Sequence, residues 1–375
     1  MSKVSLRIFA LVVGLLSVFG FALQTIAQDQ VDVAVLLPDS RSSARWENDD
    51  RRFLGAAFDA AGVTYSIVNA EGSAQTQQGQ AEQAITNGAK VILMVNLDSG
   101  SGAAIIAQAR DAGIAVIDYD RLTIEGEGAD FYVSFDNPSV GRLQGQGLVD
   151  AVTAAQEAGT IGEDVNVAIL NGAPTDNNAT LFSAGAHEIL DPLFNDETSG
   201  WHNVAEQAVP GWDNQQALTI FEQMQTGNPD INAALAANDG LGISVITARE
   251  NATLDYIPVT GQDATVGGVQ QVLAGHMSMT VYKGIKAQAE AAAALAVALV
   301  NGDDTSMLVT GATNNGTNDI PSVLLTPVAV TKDNVAETVI ADGFRTWEEL
   351  CVGDFAEFCP ADWMMEMTPE ATASS

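Results

Sequence analysis

Positive charge is scarce in this chain. Its 375 residues hold 15 Lys and Arg against 48 Asp and Glu, a formal charge of −33. A field of that sign repels phosphate backbones and anionic membrane faces, so nucleic-acid binding is not expected. The carboxylates read as a solvated coat. Histidine is sparse too: His187, His202 and His276 stand far from one another and from both cysteines, which leaves no metal-ligand spacing. Cysteine is limited to Cys351 and Cys359, and aromatic residues to 6% of the chain. The motifs of common chemistry are missing as well. There is no GxxxxGK[ST] phosphate loop, the cluster Gly100-Ser101-Gly102 lacks the dinucleotide spacing, and no GxSxG elbow or histidine-paired nucleophile occurs. Neither catalysis nor a cofactor is expected.

What is present begins with a leader. Lys3 and Arg7 precede an apolar run over 8–23, and the small-residue site Thr25-Ile26-Ala27 follows, with Gln28 beyond it. This is the pattern of a secretory signal peptide over 1–27, with an uncleaved anchor helix as the alternative. No cysteine follows the apolar run, so the lipid-anchored route is closed. The protein is therefore expected in the periplasm or outside the cell. In that oxidising setting Cys351 and Cys359 are expected to pair as a disulfide.

Beyond the leader, short apolar runs alternate with helical periodicity. Strands are expected at 31–37, 63–68, 91–95 and 114–118, with helices at 46–61, 74–87 and 102–112 between them. Gly62, Gly88 and Gly113 stand at the helix ends. The pattern repeats: strands at 165–171, 205–209, 231–237, 258–261 and 277–281, helices at 178–190, 214–225, 241–250 and 264–274, and an alanine-rich helix at 285–300. One more strand is expected at 322–330, and from 351 onward a loosely ordered tail. Strand, helix, glycine, strand is the signature of a parallel sheet, and two such runs imply an α/β protein with two doubly wound lobes. Ligands of such sheets collect at the C-terminal strand ends.

Those ends carry an unusual set of residues. Arg45 and Trp46 follow the first strand, and Arg121 follows the fourth. Asp176 and Asn178 follow the first strand of the second run; Trp212, Asn238, Asp263 and Lys283 follow later ones. A sugar hydroxyl is one donor and two acceptors, so a sugar site needs acceptors and donors together. Asp176 and Asp263 accept, Arg45, Arg121 and Lys283 donate, and Asn178 and Asn238 do both. Charge-assisted bonds are the stronger kind. Trp46 and Trp212 offer flat faces to a pyranose ring. Each has a plainer reading: a strand-end Asp or Asn caps a helix, Arg121 forms a surface ion pair, Trp46 joins the core. Their gathering on one rim favours a site.

The stretches ARWENDDRRF, VIDYDRL, DFYVSFDN, GAPTDNNATLF, VPGWDNQQAL, AANDG, VTGQDA and MTVYKGI, in that order from about Val31 to Phe344, resemble the D-xylose-binding proteins of ABC sugar importers, within the type I periplasmic binding proteins. The resemblance implies two doubly wound parallel-sheet lobes joined by a three-strand hinge, with a monosaccharide, D-xylose or a related aldose, held between them. It implies a monomer without enzymatic activity that delivers the sugar to a transporter permease. The nine residues named above are its ligand contacts. It divides the chain into a first lobe, 28–136 with 284–319, a second lobe, 137–283 with 320–345, and an acidic tail, 346–375. The hinge crossings fall near Asp136-Asn137, near Lys283, and near Asp319-Pro321. Ser42 and Ser43 stand where that family carries bulkier residues. Two other uses of such a clamp are a ligand carrier for a chemoreceptor or sensor kinase, and a receptor for glucose or arabinose. A transcription-regulator lobe would need a helix-turn-helix where the leader stands.

Overall fold

The computed structural model describes residues 31–361. The leader at 1–27 and the end of the tail, 362–375, lie outside the described residues. The chain opens with β1 (Val33–Leu37), α1 (Arg51–Ala61), β2 (Tyr65–Asn69), α2 (Ala74–Thr86), β3 (Val91–Met94), α3 (Ser99–Asp111), β4 (Ala115–Tyr119) and β5 (Phe131–Phe135). Every residue of β1 and β3 is buried, as expected for strands covered on both faces by crossover helices. A single π-helical turn, Trp46–Asp50, leads into α1 and folds the loop after β1 back over the strand ends.

The second run holds α4 (Asn137–Glu157), β6 (Val165–Asn171), α5 (Asn177–Phe194), β7 (Trp201–Ala208), α6 (Asn214–Gly227), β8 (Ala233–Ala236), α7 (Asp239–Asn251), β9 (Thr260–Gln262), α8 (Val266–Ala274) and β10 (Met279–Tyr282). Then come α9 (Ile285–Asn301), β11 (Gly311–Asn314), β12 (Asp319–Leu325), β13 (Val328–Val330) and the short α10 (Trp347–Leu350). The first sheet runs β11-β12-β5-β4-β3-β1-β2, parallel except for β11 against β12. The second lobe carries β7-β6-β8 and β9-β10-β13, bridged at Ala234–Val259, with β13 antiparallel to β10. In the first lobe α9 lays Ala289, Ala292 and Leu295 against Val33, Leu37, Leu93 and Phe58, while Ile105, Ile106 and Ala109 of α3 cover the other face. Among the described residues no helix is long and apolar enough to cross a membrane.

The structure departs from the sequence expectations in four places. First, β5 and the 21-residue α4 had not been expected. Glycines 141, 145 and 147 weaken the helical pattern of α4, yet Gly141 and Gly145 allow the contact that holds it. A Cβ on Gly141 would lie 1.9 Å from the Phe182 carbonyl oxygen, and one on Gly185 would lie 2.1 Å from that of Pro138, so α4 and α5 touch backbone to backbone. Second, the run 322–330 is two strands, not one. Ser322–Leu325 pairs with Tyr132–Phe135 in the first sheet, and Val328–Val330 pairs with β10 in the second. Third, residues 319–325 therefore belong to the first lobe, and the third crossing lies at 326–327 rather than at Asp319-Pro321. The other two crossings lie at Asp136, between β5 and α4, and at Lys283-Gly284, between β10 and α9. Fourth, the tail expected to be loose from 351 forms a short 3-10 turn, Gly353–Phe358, that leans on the core through the half-buried Phe358 and Cys359, while most of 352–361 is exposed. Trp347, Leu350 and Cys351 are buried with Phe344, Val335 and Val339 against Val269 and Leu273 of α8. The Cys351–Cys359 disulfide is formed beside them.

Candidate functional site

The C-terminal ends of β1, β4, β6, β9 and β10 face each other across the interlobe cleft, and the loops that follow them line a narrow pocket with room for about 30 Å³. The structure brings all nine expected residues to its wall: Arg45, Trp46 and Arg121 from the first lobe, Asp176, Asn178, Trp212, Asn238 and Asp263 from the second, and Lys283 at a crossing. Ser42, Ser43, Asp120, Phe182 and Gln262 complete the lining. A wider groove, lined by Asn48, Asp49, Arg52, Asn214 and Arg345 among others, runs along one flank and opens to solvent.

Asp120 is the hub that the sequence reading did not single out. Its carboxylate accepts from Arg45 Nη1 at 2.8 Å and from Asn178 Nδ2 at 3.0 Å. Burial alone would raise its pKa, but the facing cations Arg45, Lys283 and Arg121 hold it down at about 2. Its position inside Tyr119-Asp120-Arg121, directly beside Arg121, was the available signal. Arg45 is correspondingly committed. Its Nε and Nη2 bind Asp50 at 2.8 Å, Nη2 also reaches Gln288 Oε1 at 2.8 Å, and Nη1 reaches Asp120. A guanidinium has five N–H donors, so one remains to face the cavity.

On the second lobe the capping and site readings turn out to be compatible. Asp176 Oδ1 caps α5 through the Asn178 backbone N–H at 2.9 Å, while Oδ2 receives Trp212 Nε1 at 3.1 Å and lies 2.9 Å from Arg121 Nε. Asn238 Oδ1 caps α7 at 2.9 Å, while its Nδ2 donates to the Ser42 carbonyl oxygen at 3.2 Å. Each side chain thus spends one atom on a helix end and aims the other across the cleft. Trp212 is held by Gly172, where a Cβ would lie 2.0 Å from the indole ring. Its ring meets Phe182 edge-on at 6.5 Å. Trp46 lies under Arg45, 4.3 Å from ring centroid to guanidinium carbon, and its Nε1 donates to Ser42 Oγ at 3.1 Å. Trp46 belongs to the first-lobe core and to the cavity wall at once.

The lobes are closed on each other. Arg121–Asp176, Asn178–Asp120, Ser43 Oγ–Asp263 Oδ2 at 3.0 Å and Asn238–Ser42 all span the cleft. Three cations (Arg45, Arg121, Lys283) face three carboxylates (Asp120, Asp176, Asp263), so the wall is balanced in charge. Some polar capacity is left over. Arg121 Nε and Asp263 Oδ1 sit at ion-pair distance from Asp176 and Lys283 but outside hydrogen-bond geometry, and Gln262 Oε1 has no partner. Such a cavity offers separate donors, separate acceptors and two indole faces. It suits a neutral polyhydroxylated ring better than an ion, because a ligand charge would unbalance the wall. Among the described residues no three His, Cys, Asp or Glu side chains gather as a metal site.

Comparison with known proteins gives a family and a fold. Residues 33–304 match the family model described as a periplasmic binding protein domain. The chain is 36% identical over 323 residues to the D-xylose-binding periplasmic protein of Escherichia coli (strain K12), which is 86% of this chain and 93% of that one. It is 29% identical over 342 residues to the multiple sugar-binding periplasmic receptor ChvE of Rhizobium radiobacter, 88% of this chain and 95% of the relative. Among solved structures, the carbohydrate transporter solute binding protein of Chloroflexus aurantiacus in complex with D-glucose superposes with a TM-score of 0.76 at 30% identity. That match covers 85% of this chain and 98% of the other.

Proposed function

The chain belongs to the periplasmic binding protein family, and from that premise we propose that it captures D-xylose or a closely related aldose between its lobes and delivers it to an ABC importer. The observation that carries the reading is the charge-balanced cavity walled by Trp46 and Trp212, with Gln262 Oε1 unpartnered and Arg121 Nε and Asp263 Oδ1 held by ion-pair contact alone. Trp46 and Trp212 would take the C–H faces of the ring, Arg45, Arg121 and Lys283 would donate to its oxygens, and Asp176, Asp263, Asn178 and Asn238 would accept from its hydroxyls. A ligand touching both walls favours the closed arrangement over an open one, because only the closed form makes both sets of contacts. The three crossings would act as the hinge, and the closed outline is what a permease would recognise.

The pentose assignment leans on the relatives named for D-xylose, while the Chloroflexus structure holds D-glucose, so hexoses belong in the test. Calorimetry with D-xylose, D-glucose, L-arabinose, myo-inositol and an amino acid is expected to show tight, saturable binding of D-xylose. If D-xylose binds no better than the polyol or the amino acid, the reading fails. The leader motif supports export, and intact-mass analysis of protein recovered from the producing cell is expected to give a chain beginning near Gln28.

A further inference from the structure

Asp239 is a buried carboxylate outside the cavity. It is the first residue of α7, follows the cavity residue Asn238 directly, is 1% exposed, and does not line the cavity itself. No cation pairs with it among the described residues. A buried carboxylate without a counter-charge is costly, and burial followed by the nearby charge of Asp263 pushes its pKa up to about 7. The fold nevertheless makes room for it. A Cβ on Gly268 would lie 2.1 Å from Asp239 Oδ2, and one on Gly261 would lie 2.3 Å from Oδ1.

What the carboxylate holds is the turn that carries Asp263. Asp239 Oδ2 accepts from the Thr265 backbone N–H at 2.7 Å and from Thr265 Oγ1 at 2.8 Å. Its Oδ1 accepts from Thr280 Oγ1 at 2.6 Å, and that same hydroxyl accepts from the Ala264 N–H at 3.2 Å. The turn needs such fastening. Asp263 and Ala264 both adopt left-handed backbone, with φ of 94° and 45°, which non-glycine residues adopt only under strong local constraint. Held that way, Asp263 aims its carboxylate at Lys283 Nζ, 3.1 Å away, and at Ser43 Oγ across the cleft, 3.0 Å away.

We propose that Asp239 is a positioning residue for sugar binding, which pins the strained 263–265 turn through Thr265 and Thr280 so that Asp263 points into the cavity. The inference rests on the sugar-clamp reading, and its test separates the two. Kd for D-xylose is measured for the wild type, Asp239→Asn, Asp263→Asn, their double variant, Thr280→Val and Thr280→Ser, each shown to melt cooperatively. Asp239→Asn and Thr280→Val are each expected to weaken binding tenfold or more. Thr280→Ser, which keeps the hydroxyl, is expected to stay within about threefold of wild type. In the Asp263→Asn background, Asp239→Asn is expected to add less than twofold, since its effect passes through Asp263. The inference is overturned if Asp239→Asn binds like wild type, or if its loss is the same in both backgrounds. Should Asp239→Asn not fold, or Asp263→Asn bind too weakly to measure, the Thr280 pair decides: equal affinity for Val and Ser overturns the inference, and loss in Val alone supports it. Failure of the wild type to bind any sugar would instead sink the clamp reading.

Discussion

Arg345 ties the lobes together without lining the cavity, which makes it a lever on closure. Its Nη1 and Nη2 bind the two oxygens of Asp49, each at 3.0 Å, with side chains only 6% and 4% exposed. Asp49 lies in the turn before α1 of the first lobe, whereas Arg345 belongs to the segment packed on α8 and donates Nε to the Ala264 carbonyl oxygen at 2.9 Å. The pair can exist only with the lobes together. Removing one partner of a buried pair costs about 3–5 kcal/mol. Asp49 keeps a weaker contact to Arg52 at 3.3 Å, which offsets part of the loss. Setting the net cost at ~2–3 kcal/mol on the closed state, at ~1.4 kcal/mol per decade, Arg345→Met should weaken sugar binding roughly 30- to 150-fold. Methionine retains most of the stem's packing. Because neither side chain lines the cavity, the ratio of D-xylose to D-glucose affinity should not change. Calorimetry with both sugars on wild type and variant is the assay. An unchanged Kd, or a shifted ratio between the two sugars, would refute the argument.

Two further perturbations test other parts of the account. Trp212→Ala is expected to weaken binding by ~1–3 kcal/mol, the scale for a buried aromatic anchor, and to reduce the sugar-dependent change in tryptophan fluorescence; undiminished affinity would return Trp212 to a packing role only. Asp118 in β4 is fully buried and accepts from the Thr123 N–H and hydroxyl, and burial pushes its pKa up to about 7. With the folded value above an unfolded one near 3.9, its contribution to stability is full below about pH 4 and is lost as pH rises through about 7, by ~4 kcal/mol in all. Urea unfolding of Asp118→Asn is therefore expected to lose less stability between pH 5 and pH 8 than the wild type, whereas equal losses would contradict the assignment.

The strand-end rule carried the site because each βα unit delivers its polar residues to the same edge of its sheet. Arg45, Arg121, Asp176, Asn238 and Asp263 could therefore be placed together without knowing how the lobes pack. What escaped was set by tertiary contact. Phe182 lies one helical turn beyond Asn178 and reaches the cavity from the turn of α5 that packs against Gly141 of α4. Gln262 is one residue from Asp263, and nothing in its local pattern tells an aimed amide from a solvated one. The role of Arg45 was only half legible: a donor near a sugar was expected, and a guanidinium largely consumed by Asp50, Asp120 and Gln288 was found. The third crossing was misplaced because 322–330 reads as one apolar run, and only the partners of Ser322–Leu325 and Val328–Val330 separate it into strands of different lobes.

The central claim is that sugar is enclosed by rotation of the two lobes about the crossings at Asp136, Lys283-Gly284 and 326–327. X-ray scattering with and without saturating D-xylose tests it directly. A smaller radius of gyration is expected with sugar, and no such change for Asp263→Ala at sugar concentrations that close the wild type. Superimposable wild-type curves in the two conditions would contradict the clamp, even if calorimetry showed the sugar to be bound.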